Sequence, residues 1–352
     1  PFAAQAKVNR KVNRCGGTME MSTTRVLVSI LNWHAPERTA TAVARLLDLH
    51  PPDLDIELLV IDNGSSIEEF ETLQRHLSPT VNLRRNETNL GYAGGHNQAI
   101  RLAMEQGFDY IWLFNNDASV LVPETLPALV RIMEHDPGCA AVSPRLEDDD
   151  GRVYFNGGEH DWKNRLSTWP SLEKMQKLEG AQPMDRWLSG AALLLRVAAL
   201  KKVGLLDERY FAYYEDNELS VRLAKAGWDL KVAFDTRVRH PLPAKDTERP
   251  PYYFYLTQRN YLLFWYENTP PEYRHLLWLR LLDQALYNCN RLYDDGFTAH
   301  GNASLLGIRD FIAGRMGRPE LDRHNNLLLV GARKLTRLRQ RLMAAAQMQR
   351  NL

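Results

Sequence analysis

The run Tyr110-Ile-Trp-Leu-Phe-Asn-Asn-Asp-Ala-Ser119 constrains this chain more than any other stretch. Five apolar residues stop abruptly at Asn115, Asn116 and Asp117. A short, continuous apolar run reads as a strand covered on both faces, as in a parallel sheet. In open α/β sheets ligands bind in the crevice beyond such strand ends. An aspartate there can bind a hard divalent cation through oxygen, and the cation can hold a diphosphate. The plain alternative is a turn, which Asn, Asp and Ser all favour. The neighbouring runs weigh on that choice.

The pattern repeats along the first half of the chain. Arg25-Val-Leu-Val-Ser-Ile-Leu-Asn32 reads as a buried strand ending at Asn32-Trp33-His34. Pro36-Glu37 opens a helix with Val43, Leu46, Leu47 and Leu49, halted by Pro51-Pro52. Ile56 to Ile61 is a second strand that runs into Asp62-Asn63-Gly64. Asp62 there suits hydrogen bonds from a base or ribose, or an Asx-turn. Val81 to Arg85 is a weaker third strand. A fourth strand at 109–114, a helix at 123–135 and a strand at 139–143 follow. This alternation predicts a mostly parallel, doubly wound central sheet flanked by helices. Three successive strand ends carry polar clusters on one edge, which argues for a nucleotide site.

Asn89-Leu-Gly-Tyr-Ala-Gly-Gly-His-Asn97 reads as a Gly-rich loop, with a helix from Gln98 offering its N-terminus to phosphate. Its spacing matches neither the dinucleotide fingerprint nor a P-loop. Glu147-Asp-Asp-Asp-Gly151 reads as a solvated acidic turn opening a hairpin, and residues 163–183 as a mobile, irregular loop over the site. Trp187 to Arg196 reads as one strand whose Gly190 marks a close approach. Tyr210 to Glu218 brings aromatic residues up to the pair Glu215-Asp216, ahead of a helix at 219–226 closed by Gly227. These acids suit catalysis, helix-dipole complementation or both. Aromatic surroundings raise a carboxylate's proton affinity and suit it to base work. A strand at 228–234 leads to His240, a candidate ligand for the same cation as Asp117, or a structural histidine. Arg259, inside a helix at 251–267, has the chemistry of a diphosphate clamp or of a surface ion pair. Helices at 272–295, 305–313 and 327–348 carry apolar stripes (Leu276, Leu279, Leu282; Leu327, Val330) that read as core or partner faces.

Composition narrows the partners. The net charge is +1 over 352 residues, so no global field points to nucleic acid. Charge is uneven: from Arg315 to Leu352 nine Lys/Arg face two Asp/Glu. Such a run is a solvated helix face, or a face for a membrane surface or a second subunit. Cys15, Cys139 and Cys289 show no metal spacing or disulfide framework, which fits a reducing compartment and a cytoplasmic location. No apolar run reaches the ~18 residues of a membrane span. Residues 1–24 lack a signal-peptide core and read as a disordered leader or expression remnant.

Taken in order, these stretches resemble the inverting glycosyltransferases of family 2, and within it the rhamnosyltransferase-like bacterial subgroup. The matching residues are Val28 to Trp33, Val60 to Ser65, Asn89 to Gly95, Phe114 to Asp117, Trp187 to Ala191, Tyr214 to Leu219, and Arg259-Asn260. Each is weak alone; the ordered set across about residues 24–265 is specific. The resemblance implies a GT-A fold over 25–265, with a nucleotide-binding half (25–145), an acceptor half (146–265) and a C-terminal helical region (266–352). It implies that Asn32, Asp62, Asn63, Gly91, Asn115, Asn116 and Arg259 hold the donor nucleotide. Asp117 matches the last Asp of the family's metal-binding motif, whose first Asp is here Asn115. His240 is the further ligand of a divalent cation, Mg²⁺ or Mn²⁺. Trp187, Gly190 and Tyr214 line the sugar pocket, and Asp216, beside Glu215, is the catalytic base. The implied donor is a dTDP-sugar such as dTDP-rhamnose, then a UDP-sugar; the implied acceptor is a glycan or lipid-linked glycan. The implied setting is the inner face of the cell membrane, with the C-terminal helices contacting membrane or a second copy. A non-catalytic scaffold of the same fold and a sugar nucleotidyltransferase are the rival readings. The nucleotidyltransferase reading lacks its Gly-rich signature beside the first strand.

Overall fold

A computed structural model describes residues 23–49, 51, 53–178, 183–243, 245–324 and 327–350. The expected leader lies almost wholly outside the described residues; Thr24 already opens the first strand. In chain order the elements are β1 (Thr24–Asn32), α1 (Pro36–Leu47), β2 (Leu54–Asn63), α2 (Ile67–His76), β3 (Asn82–Asn86) and α3 (Gly91–Gln106). There follow β4 (Tyr110–Phe114), β5 (Ser119–Val120), α4 (Thr125–His135), β6 (Cys139–Glu147), β7 (Val153–Phe155), β8 (Gly158–Asp161) and β9 (Leu166–Thr168). Then come α5 (Leu172–Leu178), β10 (Arg186–Trp187), β11 (Ala192–Arg196), α6 (Val197–Val203), α7 (Glu215–Lys225) and β12 (Asp229–Arg239). The chain ends in α8 (Pro251–Asn268), α9 (Leu277–Asp294), α10 (Thr298–Ile312) and α11 (Leu327–Arg350).

The main sheet has nine strands in the order β3-β2-β1-β4-β11-β6-β12-β5, with β7 beside β6. β3, β2, β1 and β4 are mutually parallel. β11 is antiparallel to both β4 and β6, so β6 and its parallel neighbour β12 run the same way as the first four. The strands are apolar throughout because both faces are covered. Val26, Val28, Ile30, Val60, Trp112 and Phe114 face α1, α2 and α4. Leu27, Leu59, Ile61, Ile111 and Leu113 face α3, α6 and α7. The period-two alternation thus feeds two cores from the same strands. A separate three-stranded sheet, β10-β8-β9, is antiparallel.

Four expectations about local structure change. The Gly-rich stretch is the first turn of α3, not a loop. Its glycines permit close packing: a Cβ on Gly95 would lie 2.8 Å from the Leu31 side chain, and one on Gly91 would lie 2.3 Å from the Phe211 carbonyl oxygen. The amides of Gly91 and Ala93 are occupied by Asn89 Oδ1 and the Phe211 carbonyl, so this helix start does not stand open to phosphate. Trp187 and Arg196 lie in different sheets, because the chain leaves β10 at Leu188 and re-enters at Ala192. The stretch 163–183 forms β9 and α5 rather than an irregular loop; 179–182 lie outside the described residues. The acidic turn does open a hairpin, but Glu147 and Asp148 are buried and bound to Arg237 (3.2 Å) and Arg152 (2.8 Å).

The C-terminal helices share one core with α8. Gly307 lets α10 approach it, since a Cβ there would sit 2.4 Å from the Tyr255 carbonyl oxygen. Part of the basic run is spent inside the fold: Arg337 and Arg339 pair with Asp294 and Asp283 of α9, and Arg333 lies over the Tyr293 ring. Leu276, Leu279 and Leu327 are exposed rather than core. No helix among the described residues is long and apolar enough to cross a membrane. Gly91 carries a φ of +75° as well as its steric constraint. Gly91→Ala is expected to cost about 1–3 kcal/mol, read as a lower urea midpoint at unchanged m-value.

Candidate active site

The register of the parallel strands builds the first part of the site. Asn32 and Asp62 are paired neighbours at the ends of β1 and β2. Asn32 Nδ2 donates to Asp62 Oδ2 at 2.7 Å, and the Ser65 amide donates to Asp62 Oδ1 at 3.1 Å. The Thr39 hydroxyl donates to Asn32 Oδ1 (2.7 Å) and accepts from Asn116 Nδ2 (2.9 Å). Thr39 therefore joins two of the expected residues, Asn32 and Asn116, although nothing in its sequence surroundings singles it out. Asp62 is fully buried, with Arg85 Nε 3.8 Å away. Asn63 is different: its amide meets Asn86, Asn89, the Leu90 amide and the Gly91 carbonyl. Both ends of the Asn63 amide are thus engaged, as both ends of Asn32 are.

The second part lies past β4. His240, just after β12, has Nε2 3.2 Å from Asn115 Nδ2 and 3.4 Å from Asp117 Oδ1. Its Nδ1 is 2.7 Å from the Tyr154 hydroxyl. Burial holds the His240 pKa below its ordinary value despite the pull of Asp117. The close approach is thus that of a neutral imidazole, not an ion pair at neutral pH. With Asn115 as donor, Nε2 carries the lone pair and Nδ1 the hydrogen. Asp117 Oδ1 is buried and has no hydrogen-bond partner among the described residues. An orphaned carboxylate oxygen beside an imidazole nitrogen, whose lone pair a cation would take in place of the Asn115 N–H, is a donor set suited to a divalent cation. No group of three or more His, Cys, Asp or Glu able to hold a metal occurs among the described residues. The positive charge of Arg249 acts on both His240 and Tyr154, placing a cation beside this pair.

The third part is the start of α7. Phe211, Tyr213 and Tyr214 all have positive φ (65°, 70° and 75°). This strained path turns the chain so that Glu215 and Asp216 open the helix. Asn260 Nδ2 lies 2.7–2.8 Å from the carbonyls of Tyr210, Ala212 and Tyr213. Arg259 donates to the carbonyls of Arg209 (3.1 Å), Tyr210 (3.0 Å) and Gly317 (2.6 Å). Arg259 is fully buried, so the expected diphosphate clamp is corrected to an internal one.

Asp216 receives the Gly190 amide at 3.0 Å on Oδ2, and the Asn217 amide and Nδ2 at 2.8 and 2.9 Å on Oδ1. Burial raises its proton affinity, and these donors pull it part of the way back. Tyr92 donates to the Gly190 carbonyl at 2.6 Å, which explains why a glycine stands there: its Cβ would lie 2.8 Å from that hydroxyl. Behind Asn217 a chain of contacts continues. The Ser167 hydroxyl donates to Asn217 Oδ1 (3.2 Å) and lies 3.2 Å from His160 Nδ1. His160 is buried among aromatic rings, which drops its pKa to about 3 and keeps it neutral. Its Nδ1–H therefore points the Ser167 hydroxyl at Asn217, and so fixes the amide that faces Asp216. No spacing signal marks Ser167 or His160; only the small sheet carrying β8 and β9 brings them to α7.

The acid pair divides in role. Asp216 is partly exposed, whereas Glu215 is buried and its Oε2 is unpartnered. Burial, then the charge of Asp216, pushes Glu215 well above the carboxylate range. Trp187 is also buried, packed over Gly158, and Tyr214 is half-buried against Phe264. Since Glu215 binds its proton more tightly folded than unfolded, its stability contribution is complete below about pH 4.5 and lost as pH rises through its folded pKa. Glu215→Gln is expected to flatten the fall of the urea midpoint between mildly acidic and alkaline pH.

Comparison with known proteins gives the family and the fold. The family model described as "Glycosyl transferase family 2" matches residues 26–204. An N-acetylglucosaminyl-diphospho-decaprenol L-rhamnosyltransferase of Mycobacterium tuberculosis is 32% identical over 195 residues, 49% of this chain and 62% of that protein. The chain thus matches under two thirds of that relative's length. Galactofuranosyltransferase GlfT1 of Mycolicibacterium smegmatis is 27% identical over 252 residues, 63% of this chain and 78% of that protein. Among solved structures, a Pyrobaculum calidifontis mannosyltransferase in complex with GDP-Man and Mn²⁺ superposes with a TM-score of 0.53 at 14% identity, over 84% of this chain and 89% of that one. The sheet is of the GT-A type, and the chain belongs to glycosyl transferase family 2.

Proposed function

We propose that this chain moves a sugar from a nucleoside-diphosphate donor to a hydroxyl of a glycan or lipid-linked glycan, with inversion at the anomeric carbon. The observation that carries the reading is Asp216: a partly exposed carboxylate, aimed by three N–H donors, with its proton affinity raised by burial. That is the profile of a general base. The base and ribose of the donor meet the Asn32–Asp62 network. Asp117 and His240 would hold a divalent cation, Mg²⁺ or Mn²⁺, which when bound would neutralise the diphosphate. Two protein ligands fit such a cation, because Mg²⁺ and its kin keep waters and take substrate phosphates. Arg249 adds positive charge beside them in place of Arg259. Asp216 accepts the acceptor hydroxyl's proton as that oxygen bonds to the anomeric carbon. The bond to the diphosphate breaks on the opposite face, so configuration inverts.

The names of the relatives favour a deoxysugar or furanose donor and a lipid-diphosphate-linked acceptor. We read dTDP-rhamnose as the first donor and UDP-sugars as the second. A lipid-linked acceptor sets the enzyme against the inner face of a membrane. The exposed Leu335, Leu338 and Leu342, together with Lys334, give α11 an apolar, basic surface for that contact.

Calorimetric titration with dTDP, UDP and GDP, with Mn²⁺ or Mg²⁺ and again with chelator, tests the donor site. Selective, cation-dependent binding of one nucleotide is expected; no binding under any condition defeats the reading. Asp117→Ala is expected to abolish the chelator sensitivity. Asp216→Asn is expected to lower turnover by roughly 10²–10⁴-fold while sparing donor affinity; wild-type turnover in that variant removes Asp216 as the base.

A further inference from the structure

A wall of aromatic rings leads out of the protein between the two chemical ends of the site. It begins at buried Trp187, whose ring lies 5.2 Å from Phe155. Phe155 lies 6.3 Å from Trp169, and Trp169 lies 5.5 Å from Tyr154. Tyr154 is the residue whose hydroxyl meets His240 Nδ1 at 2.7 Å. Trp169 is the outermost ring of this wall and is 51% exposed. It directly follows β9, two residues beyond Ser167, whose hydroxyl reaches Asn217 beside Asp216. Two residues of extended chain span roughly 7 Å. One exposed indole is therefore bracketed by the partner of a metal-ligand candidate and by the support of the base.

A single exposed hydrophobic residue ordinarily needs no explanation. Trp169 differs because the rings of Tyr154 and Phe155 pack against it while half of its surface stays exposed, and because its contacts lead to His240 through Tyr154 and its strand neighbour Ser167 leads to Asp216 through Asn217. An indole face carries negative electrostatic potential. The axial C–H groups of a sugar ring carry the complementary partial positive charge and form a flat apolar patch of matching size. We propose that Trp169 is the platform on which the acceptor's sugar ring stacks, holding its nucleophilic hydroxyl toward Asp216. The acceptor is favoured over the donor as the stacked partner because the donor's nucleotide end is read at Asn32 and Asp62 on β1 and β2, whereas Trp169 follows the small sheet whose Ser167 supports Asn217 beside Asp216. This inference rests on the reading of Asp216 as the base, and it moves the acceptor contact from buried Trp187 to Trp169.

The test uses the full chain, a short-chain N-acetylglucosaminyl-diphospho-lipid as probe, and the variants Trp169→Ala, Trp169→Phe and Asp216→Asn. Probe affinity is measured in the presence of nucleoside diphosphate and Mn²⁺, and acceptor KM in turnover. Trp169→Ala is expected to weaken probe binding and raise acceptor KM about 2- to 13-fold, the equivalent of one aromatic ring contact. Trp169→Phe is expected to restore most of that loss, and nucleotide affinity and kcat at saturating acceptor are expected to stay unchanged. Unchanged probe affinity in Trp169→Ala overturns the proposal, as does absence of probe binding by the wild type. Weakened nucleotide affinity in Trp169→Ala also overturns it, by making Trp169 a donor contact. Full turnover in Asp216→Asn overturns the base reading instead, whatever Trp169 does.

Discussion

Asn260 and Arg259 hold the strained segment that leads into α7. Three non-glycine residues between 211 and 214 sit in the left-handed region. Such conformations cost about 1–3 kcal/mol each and persist only where the surroundings over-determine them. Here a buried amide and a buried guanidinium supply that determination, donating to the carbonyls of Arg209, Tyr210, Ala212 and Tyr213 along the irregular path. The guanidinium carries its charge into the protein interior, where desolvation lowers its pKa. Only a dense set of acceptors makes that burial tolerable. Once the path is held, α7 begins at Glu215, and Asp216 falls under the Gly190 amide. The strain is thereby converted into the aim of one carboxylate.

Burial then sorts the titratable groups by what surrounds them. His96, His160 and His240 are all pushed toward the neutral form. Only His240 faces an unpartnered carboxylate oxygen. The same desolvation raises Glu215 and Asp216, but the amides of Gly190 and Asn217 restrain Asp216 alone. Two adjacent carboxylates thus diverge, one sealed with an unpartnered oxygen, one partly exposed and held by three N–H donors. A group's chemistry here follows from its hydrogen-bond donors more than from its residue type.

Much of the fold is legible in the chain because it follows from local rules. Apolar runs ending at Asn32, Asp62 and Phe114 mark strands covered on both faces, and parallel pairing puts their ends on one edge. Gly190 and Gly227 signal, respectively, a close approach and a helix end, and both are found. What misleads is a residue whose chemistry suits two jobs. Arg259 has the shape to grip phosphate, yet it grips carbonyls. The glycines of 91–95 look like a phosphate loop, yet they allow α3 to press against Leu31 and Phe211. Burial decides both cases, and burial depends on elements far away in sequence.

The sequence by itself determined the alternating strands and helices of the first half, the mostly parallel sheet covered on both faces, and the polar residues Asn32, Asp62 and Asn115 to Asp117 that follow its strands. These depend on hydrophobic period, turn chemistry and the position of polar residues at strand ends. Only the tertiary structure decided that Thr39 links Asn32 and Asn116, that Tyr154 and Asn115 set the tautomer of His240, and that Ser167 and His160 stand behind Asn217 and Asp216. Each of these contacts joins residues 7 to 125 positions apart. Side-chain type and spacing carry no information about such meetings, because the pairing of distant elements, and the desolvation it imposes, exists only once the chain has packed.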